Sequence, residues 1–503
     1  MKFCFKILTL SIIAGSLYFQ GLNAQNREDT VLEESWLYSA NNLFSQPGVK
    51  FMHKLRSLEK DATIKVENLP EGLTFNQDRN LVEGLFENEG VYNYTVLISS
   101  EGQENRTPVT VTVSRDLQQP TPFMGWLSWN VVESDISTDV VKAIADAMES
   151  SGIRDAGYNY LVIDDLWQAE TRADDGSPIE DSSKFPNGMK EAADYAHSKK
   201  LKFGIYSDAG DKTCGGAFGS YGFETQDANK YAEWGVDLLK YDYCNAPTDM
   251  PTAITRYSKM NEALKATDRD IVFYICEWGQ REPWKWGSEA GGSCWRSTYD
   301  TRDCWDGDEE ANGIGILQSI KNIKDLWTFN GVNRWNDADM MCVGIHGNGK
   351  SSSDLCISPA GMTMDEYGTQ FALWCMWSSP LTLSFDLREP ISKEDLALIT
   401  NSELIALDQD RMGQAAELID ETPDYIVFAK DLENGDVAVS VTNLSDSNLD
   451  HTIDFSLIPA LDVTETYNVR DLMNRRPLPP VSNGKLEGCA INPHATVVYR
   501  FSK

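Results

Sequence analysis

The stretch Val236-Asp-Leu-Leu-Lys-Tyr-Asp-Tyr-Cys244 decides how this chain is interpreted, because it places two charges in an otherwise apolar strand. Leu238, Lys240 and Asp242 alternate along it, so we expect their side chains on one face of the strand. Buried charges are costly unless they are paired or used. In a β/α barrel, the C-terminal ends of the strands carry the active site. Taken by itself, this segment is also explained by a structural Lys–Asp pair, but the rest of the chain favours a functional site.

The composition limits the classes to which the protein can belong. The chain has 503 residues, which suggests roughly three domains of ~150 residues each. Its 77 acidic and 44 basic residues give a net charge of −33. Such a charge disfavours nucleic acid and anionic membranes as partners, because their phosphates would be repelled. The composition therefore favours a protein that handles neutral substrates.

The N-terminus has the features of a secretory signal. Lys2 and Lys6 form a positive region before the apolar run 7–19, which is too short to span a membrane. We expect cleavage after Ala24, and no cysteine follows the apolar run at a lipidation position. The sequence therefore predicts an exported protein without a lipid anchor, periplasmic or secreted. A retained N-terminal anchor is the alternative.

Cysteine and histidine usage bears on metal and redox chemistry. Removing Cys4 from the ten cysteines leaves nine, so at least one thiol of a monomer has no disulfide partner. Export permits disulfides. The sequence contains no Cys-x-x-Cys pair, and its five histidines are scattered, which argues against a zinc, redox or Ser-His site. We therefore predict no metal and no cofactor.

Strand and helix signals divide the chain into segments. After the predicted signal peptide at 1–24, residues 25–116 contain short strands separated by turns, which predicts a β-sandwich. Residues 117–410 alternate strands and helices, which predicts a (β/α)8 TIM barrel. Residues 411–503 are again strand-like, with a hairpin signal at Asn434-Gly435. This last segment is predicted to be an antiparallel β-sandwich packed on the barrel.

Several of seven predicted barrel-strand ends carry acidic residues, mostly beside aromatic residues. One acid after a strand is often only a cap or a turn residue, but seven in phase around one rim are hard to explain in that way. All tryptophans except Trp36 lie between residues 126 and 377. Acids and indoles suit a sugar pocket, and glycosidic cleavage requires two carboxyl groups. The strand ends are 124–129, 163–167, 206–208, Asp242, 276–278, 295–300 and 335–339.

The segment from Met124 to Leu387 resembles glycoside hydrolase family 27, the melibiase-type retaining α-galactosidases. The similar blocks occur in the family's order over nearly the whole barrel. They are Met124-Gly-Trp-Leu-Ser-Trp-Asn130, Asp164-Asp-Leu-Trp167, Lys184-Phe-Pro-Asn-Gly-Met-Lys190, Phe203-Gly-Ile-Tyr-Ser-Asp208, Trp234-Gly-Val-Asp-Leu-Leu-Lys-Tyr-Asp242, Trp295-Arg296 with Asp300, and Trp335-Asn-Asp-Ala-Asp-Met340. The N-terminal β-sandwich resembles the Ig-like module of bacterial members, and the C-terminal one resembles the family's usual appendage.

The resemblance implies a role for each matching residue. Asp242 matches the nucleophile, and Lys240 matches the lysine that favours the ionised form of Asp242. Asp300 matches the general acid/base. Glu277 and Arg296 match groups near the 2-position of the sugar, whereas Asp337 is also explained as a residue that orients its neighbours. The implied substrate-binding residues are Trp129, Asp164, Asp165, Tyr206, Lys240, Glu277, Arg296, Asp337, Asp339 and Met340.

The same residues bear on the substrate. In the family, Glu277 implies a free 2-hydroxyl and Asp164-Asp165 is the galactosidase form, so the expected partner is a carbohydrate with terminal α-galactose. One alternative is the same mechanism on a β-L-arabinopyranoside, an α-N-acetylgalactosaminide or an α-glucan. Another is a non-catalytic carbohydrate-binding protein, which the presence of both carboxylates argues against. Neither a nucleic acid nor a membrane partner is expected, and the oligomeric state is left open.

The resemblance also implies disulfides. Cys214 and Cys244 match one family pair, and Cys276 and Cys294 match a second. Residues 343–360 depart from the compact family pattern and are expected to overhang the leaving-group side. A disulfide-tied loop is favoured there over a metal site built from His346 and two cysteines. Two of Cys304, Cys342 and Cys356 can pair without the sequence choosing which, and Cys375 and Cys489 are expected to be buried free thiols.

Overall fold

The computed structural model describes residues 35–59, 61–307, 313–350 and 361–503. The predicted signal peptide and Cys356 lie outside these residues. None of the helices in the described ranges is both long enough and apolar enough to cross a membrane.

Two β-sheets form the N-terminal part of the described chain. One has the strand order β1-β7-β6-β3 and the other has the order β2-β5-β4. Both contribute to one apolar core, with Val82 from one sheet and Val96 and Val109 from the other. This is the predicted β-sandwich, and its relation to Ig-like modules remains a prediction. Its strands are β1 (Asn42–Ser45), β2 (Lys50–Lys54), β3 (Thr63–Glu67), β4 (Leu73–Asn76), β5 (Leu81–Leu85), β6 (Gly90–Ser100) and β7 (Gln103–Val113).

Eight parallel strands follow, in the order β14-β13-β12-β11-β10-β9-β8-β15. A parallel bridge between Met341 and Leu383 joins the two edges, so the sheet closes into the predicted barrel. The last strand has only 3 residues, and the sequence did not reveal it. The strands are β8 (Met124–Leu127), β9 (Tyr160–Val162), β10 (Lys202–Asp208), β11 (Leu238–Asp242), β12 (Val272–Ile275), β13 (Cys294–Arg296), β14 (Trp335–Asp337) and β15 (Leu381–Leu383).

The helices around the barrel begin and end at recognisable signals. Asp249 accepts the N–H of Thr252 as an N-cap, and Thr363 and Glu366 form a capping box. The predicted helix at 224–234 is confirmed and ends at Gly235, whose φ is 87°. The helices are α1 (Trp129–Val132), α2 (Thr138–Ser150), α3 (Met189–Ser198), α4 (Glu224–Trp234), α5 (Met250–Lys265), α6 (Pro283–Trp286), α7 (Ile316–Ile323), α8 (Met364–Trp377), α9 (Lys393–Ile399) and α10 (Ser402–Asp408), with short 3₁₀ helices at Glu133–Asp135, Arg154–Ala156, Trp327–Phe329 and Phe455–Leu457.

The C-terminal part is antiparallel. A six-stranded sheet has the order β16-β17-β18-β23-β20-β21, and β19 pairs with β22. Ile426, Phe428 and Val498 join the outer core of the barrel together with side chains of α8 such as Phe371, so this part packs on the barrel as predicted. Its strands are β16 (Glu417–Glu421), β17 (Tyr425–Asp431), β18 (Val437–Asn443), β19 (Leu449–Asp454), β20 (Tyr467–Asp471), β21 (Arg476–Val481), β22 (Lys485–Ile491) and β23 (Thr496–Ser502).

Strand β11 shows how the barrel positions charged groups. Leu238 belongs to the core inside the barrel, whereas Leu239 and Tyr241 belong to the core between barrel and helices. Because side chains alternate along a strand, Lys240 and Asp242 continue the inward row that Leu238 begins. The predicted alternation is therefore confirmed, and it brings both charges to the C-terminal end of the barrel.

Candidate active site

Asp242, the last residue of β11, lies at the centre of the site. Its Oδ2 accepts a hydrogen bond from the Tyr206 hydroxyl at 3.0 Å, and its Oδ1 accepts the Tyr243 N–H at 3.0 Å. Burial raises the pKa of Asp242 to about 7; Lys240 opposes this rise and the negative charge of Asp300 adds to it. The carboxyl group is therefore positioned by two donors and is sensitive to charge on both sides.

Lys240 forms its direct ion pair with Asp164 rather than with Asp242. Its Nζ lies 2.7 Å from Asp164 Oδ2, and both side chains are almost fully buried. Burial lowers the pKa of Lys240, but Asp164 and further anionic groups outweigh this and hold it above its usual value. Lys240 therefore stays cationic and acts on Asp242 through space, which agrees with the effect expected from the sequence.

The loop after β9 supplies a second carboxylate. Asp165 accepts the N–H of Leu166 at Oδ1 and the N–H of Gly215 at Oδ2, both at 2.7 Å. Burial raises the pKa of Asp165, and these amide donors oppose the rise. Trp129 opens α1 and packs against the inner core of the barrel. Asp165 and Trp129, both implied to bind substrate, thus follow the neighbouring strands β9 and β8.

Asp300 lies in the loop after β13, and 45% of its side chain is exposed. Arg296 Nη2 donates to its Oδ1 at 3.0 Å, and Arg302 Nη2 lies 4.0 Å from its Oδ2. Partial burial raises the pKa of Asp300, but the two guanidinium groups outweigh this and hold it below its usual value. Asp300 is thus much more accessible than Asp242.

Arg296 links Asp300 to the end of β14. Its Nη1 lies 2.8 Å from Asp339 Oδ1, so one buried guanidinium holds two carboxylates. Asp339 Oδ2 also accepts the Thr301 N–H at 2.7 Å, which fixes the residue next to Asp300. Asp339 therefore supports the loop that carries the predicted acid/base.

Asp337 and Met340 are buried more deeply than direct contact with a sugar would require. Asp337 accepts hydrogen bonds from the Tyr274 hydroxyl and from the Asp339 N–H. Burial raises the pKa of Asp337 to about 6, and Arg296 opposes this rise. Met340 belongs to the inner core and is 5% exposed. For Asp337, these contacts favour the alternative that it orients its neighbours.

The side chain of Glu277 has a partner that the sequence did not indicate. It is fully buried and accepts hydrogen bonds from the backbone and the guanidinium of Arg281. Burial raises the pKa of Glu277, and Arg281 opposes the rise. Cys276 is the neighbour that lies on the inner side, with its Sγ 3.9 Å from Arg296 Nη1. Arg281 thus binds the carboxylate of Glu277 in this structure, and the contact of Glu277 with the 2-position stays a prediction.

Of the two predicted disulfides, Cys214–Cys244 is confirmed, with a Cα–Cα distance of 5.1 Å. The predicted Cys276–Cys294 bond is wrong, since both are buried free thiols. The strand register pairs Cys294 with Tyr274, so Cys276 lies one inward layer higher. Their side chains thus belong to different layers.

The remaining predictions concern the other cysteines and His346. Cys375 and Cys489 are buried free thiols, as predicted. The pairing among Cys304, Cys342 and Cys356 stays a prediction. His346 Nε2 lies 2.8 Å from Asp395 Oδ2, so this ring nitrogen binds a carboxylate of α9.

Asp208, at the end of β10, is also part of the site. The sequence indicated it only as the end of a strand. It is paired in register with Asp242 and is fully buried. Its Oδ1 accepts the Gly210 N–H at 2.6 Å and its Oδ2 accepts the Cys244 N–H at 2.8 Å. Burial, together with the charge of Asp242, raises the pKa of Asp208 to about 9. Register alone could have indicated this residue, because the two strands end side by side.

Within the described ranges, one group of potential metal-binding atoms lies together. Donor atoms of Asp208, Cys214, Asp242 and Cys244 are all within 4.8 Å of one another. The disulfide engages both sulfur atoms, so the oxidised protein does not offer thiolates here.

Comparison with known proteins agrees with this geometry. The family model described as Alpha galactosidase A matches residues 121–410, and the one described as Alpha galactosidase C-terminal beta sandwich domain matches residues 422–501. The chain is therefore a glycoside hydrolase. It belongs to glycoside hydrolase family 27, the melibiase-type family.

Individual relatives extend the comparison. Alpha-galactosidase A of Cellvibrio japonicus is 41% identical over 340 residues, which cover 67% of this chain and 79% of that protein. A Bacteroides fragilis protein classed with the alpha-galactosidases matches 93% of this chain and 97% of its own, at 36% identity and a TM-score of 0.73. The Saccharomyces cerevisiae alpha-galactosidase solved with raffinose covers 76% of this chain and 98% of its own, at 26% identity and a TM-score of 0.69.

Proposed function

We propose that the protein is a retaining, exo-acting α-galactosidase that removes terminal α-linked galactose from oligo- or polysaccharides. The observation that carries this proposal is the pair of carboxyl groups at Asp242 and Asp300, at the rim of the barrel. Asp242 ends β11 and Asp300 follows β13, two strands along the same barrel, and the charge of Asp300 raises the pKa of Asp242. Relatives named alpha-galactosidase at 41% and 37% identity support the choice of sugar.

The positions of Asp242 and Asp300 indicate the steps of the reaction. The Asp242 carboxylate attacks the anomeric carbon while Asp300 gives a proton to the departing glycosidic oxygen, which breaks the C–O bond. A galactosyl ester of Asp242 results. Asp300 then takes a proton from water, which attacks the anomeric carbon and releases galactose. In the free site, the negative charge of Asp300 raises the pKa of Asp242, so the protonation of one carboxyl group affects the other.

The other side chains hold the sugar and the reacting groups. We assign Asp164 and Asp165 to the sugar hydroxyls and Trp129 to the C–H side of the ring. Tyr206 positions Asp242 through its 3.0 Å hydrogen bond. No step of this mechanism requires a cofactor.

The test is a panel of nitrophenyl glycosides with α-galactose, α-N-acetylgalactosamine and β-L-arabinopyranose. We expect wild-type activity on the α-galactoside and a loss of at least about 10³-fold in Asp242→Asn, because this change removes the nucleophile. Asp300→Asn should lose activity on an alkyl α-galactoside but keep most of the first step on a dinitrophenyl one, whose leaving group needs no proton.

Asp175→Asn serves as the control, because Asp175 is an exposed acid in the loop after β9 that accepts the N–H of the nearby Ser177. It should retain wild-type rates. Full activity of Asp242→Asn on the nitrophenyl α-galactoside, or of Asp300→Asn on the alkyl α-galactoside, would refute the assignment. A preference for one of the other two sugars would keep the mechanism and change the substrate.

We also propose that the protein is exported. The support is the basic and apolar N-terminus, together with the Cys214–Cys244 disulfide, since disulfides persist mainly in oxidising compartments. Expressed in its own host, the mature protein should appear outside the cytoplasm with Gln25 as its first residue. N-terminal sequencing of the periplasmic and culture fractions tests this.

A further inference from the structure

Beside the nucleophile, two sulfur and two carboxylate oxygen atoms converge. Cys214 Sγ lies 3.9 Å from Asp208 Oδ2 and 3.3 Å from Asp242 Oδ2. Cys244 supplies the second sulfur, and the four donor atoms are within 4.8 Å of one another. Two acids and two sulfurs at this spacing are more than the glycosidic reaction uses.

The sulfur–oxygen separations suit a tetrahedral thiophilic ion, and reduction would let the two sulfurs, which are bonded to each other in this structure, move apart to bind it. Zinc binds thiolate sulfur at about 2.3 Å and carboxylate oxygen at about 2.0–2.2 Å, so sulfur and oxygen ligands of one ion lie about 3.5 Å apart. The observed 3.3 and 3.9 Å bracket that value. Two thiolates with two carboxylates also provide the donor charge that such an ion prefers.

The surroundings would hold these donors in place. Asp208 is fixed by the Gly210 and Cys244 N–H groups, and Asp242 is fixed by the Tyr206 hydroxyl. Such supporting hydrogen bonds orient ligands and raise metal affinity. Cys214 is exposed and Cys244 is partly exposed, whereas both carboxylates are buried. An ion from solvent could therefore reach the sulfur atoms first.

The disulfide determines whether this site exists. A dithiol reductant would supply two electrons and two protons, break the S–S bond, form two thiols and itself become a disulfide. An incoming divalent ion would then displace the thiol protons into solvent.

We propose that reduction of Cys214–Cys244 creates a binding site for Zn²⁺ or Cd²⁺, built from both sulfurs and from the Asp208 and Asp242 carboxylates. Bound there, the ion occupies the Asp242 oxygen that the reaction needs, so the reduced and metal-loaded protein is inactive. The disulfide thereby keeps the nucleophile free. The inhibition, but not the binding, rests on the proposed function.

The experiment compares oxidised and reduced full-length protein titrated with CdCl2. The reduced protein should bind one Cd²⁺ per chain and develop the ultraviolet charge-transfer absorption of cadmium thiolates, and the oxidised protein should show neither. Nitrophenyl α-galactoside hydrolysis by the reduced protein should fall at least about tenfold with Cd²⁺ or Zn²⁺. A chelator should restore it.

Two variants make the test specific. Asp208→Asn should weaken Cd²⁺ binding to the reduced protein by at least about 10–100-fold, because it removes a direct ligand and even the loss of a supporting group typically costs that much. Cys489→Ser removes a buried free thiol of the C-terminal sandwich and should bind like wild type. If reduction alone abolishes activity, the cadmium-thiolate absorption and the number of Cd²⁺ ions bound per chain test the proposal in place of the activity. The absence of the cadmium-thiolate band, or an unchanged affinity in Asp208→Asn, overturns the proposal.

Discussion

Replacing Arg302 with glutamine should move the alkaline limb of the pH–rate profile to higher pH. Arg302 Nη2 lies 4.0 Å from Asp300 Oδ2, and its positive charge is one of the causes that hold the pKa of Asp300 low. Removing a cation favours the protonated carboxyl. The general acid should therefore keep its proton to higher pH in Arg302→Gln.

The magnitude follows from the distance and the exposure. Two unit charges 4 Å apart interact by about 4 kcal/mol near a protein surface and by about 1 kcal/mol in bulk water. With 45% of the Asp300 side chain exposed, a value of about 1–2 kcal/mol is appropriate, since solvent screens such pairs. A shift of one pKa unit corresponds to about 1.36 kcal/mol, so the alkaline limb should move up by about one pH unit.

The assay is kcat/KM for a nitrophenyl α-galactoside across the pH range, because this ratio reports ionisations of the free enzyme. Arg388→Gln is the matched control, since its guanidinium pairs with Asp386 in the loop after β15. Its profile should coincide with that of wild type. An alkaline limb that stays in place or moves to lower pH in Arg302→Gln would refute the electrostatic reasoning.

Two further predictions concern stability. Burial lowers the pKa of Lys430 to about 8, against 10.5 for a free lysine. Between pH 8 and 10.5 the Lys430 amine is protonated in the unfolded chain but neutral in the folded one, so the free energy of unfolding should rise with pH by about 3 kcal/mol. Urea denaturation from pH 7 to 10.5 should show this rise in wild type and not in Lys430→Met. Lys54→Met should lower the unfolding free energy by about 2 kcal/mol, because Glu417 loses its ion pair and Asp431 keeps only Arg79; the Nζ of Lys54 lies 2.9 Å from each carboxylate. Calorimetry checks this against Lys50→Met, whose partly exposed pair with Glu83 contributes less than about 1 kcal/mol.

Much of the fold could be predicted because local patterns carried it. The alternation of Leu238, Lys240 and Asp242 fixed both the strand and its inward face, and the helix at 224–234 needed no tertiary information. Strand β15 could not be found in this way. Its three residues, Leu381–Leu383, are buried on both sides and show no period.

The features of the site that the sequence did not reveal concern side-chain direction and layer. Sequence places Cys276 and Glu277 at the end of β12, but it does not show that Arg281, four residues on, takes the Glu277 carboxylate. Nor does it give the register that sets Cys294 beside Tyr274. Such features depend on how strands align and which loop folds back, and neither follows from local pattern.

The distribution of cations explains why so many acids can share one rim. Lys240 is committed to Asp164, and Arg296 bridges Asp339 and Asp300. Asp165 is satisfied by two backbone N–H groups instead of a cation. These contacts neutralise or satisfy the framework acids inside the protein.

Asp242 and Asp300 differ from that framework. Asp242 has no cation within ion-pair distance among the described residues and is held only by a phenol and an amide, so its charge is available to the anomeric carbon. Asp300 is 45% exposed and can exchange its guanidinium contact for a substrate oxygen. Charge that develops on the sugar in the transition state would therefore meet a carboxylate that has no direct ion pair within the described part of the protein, which is the electrostatic condition for catalysis at a preorganised site.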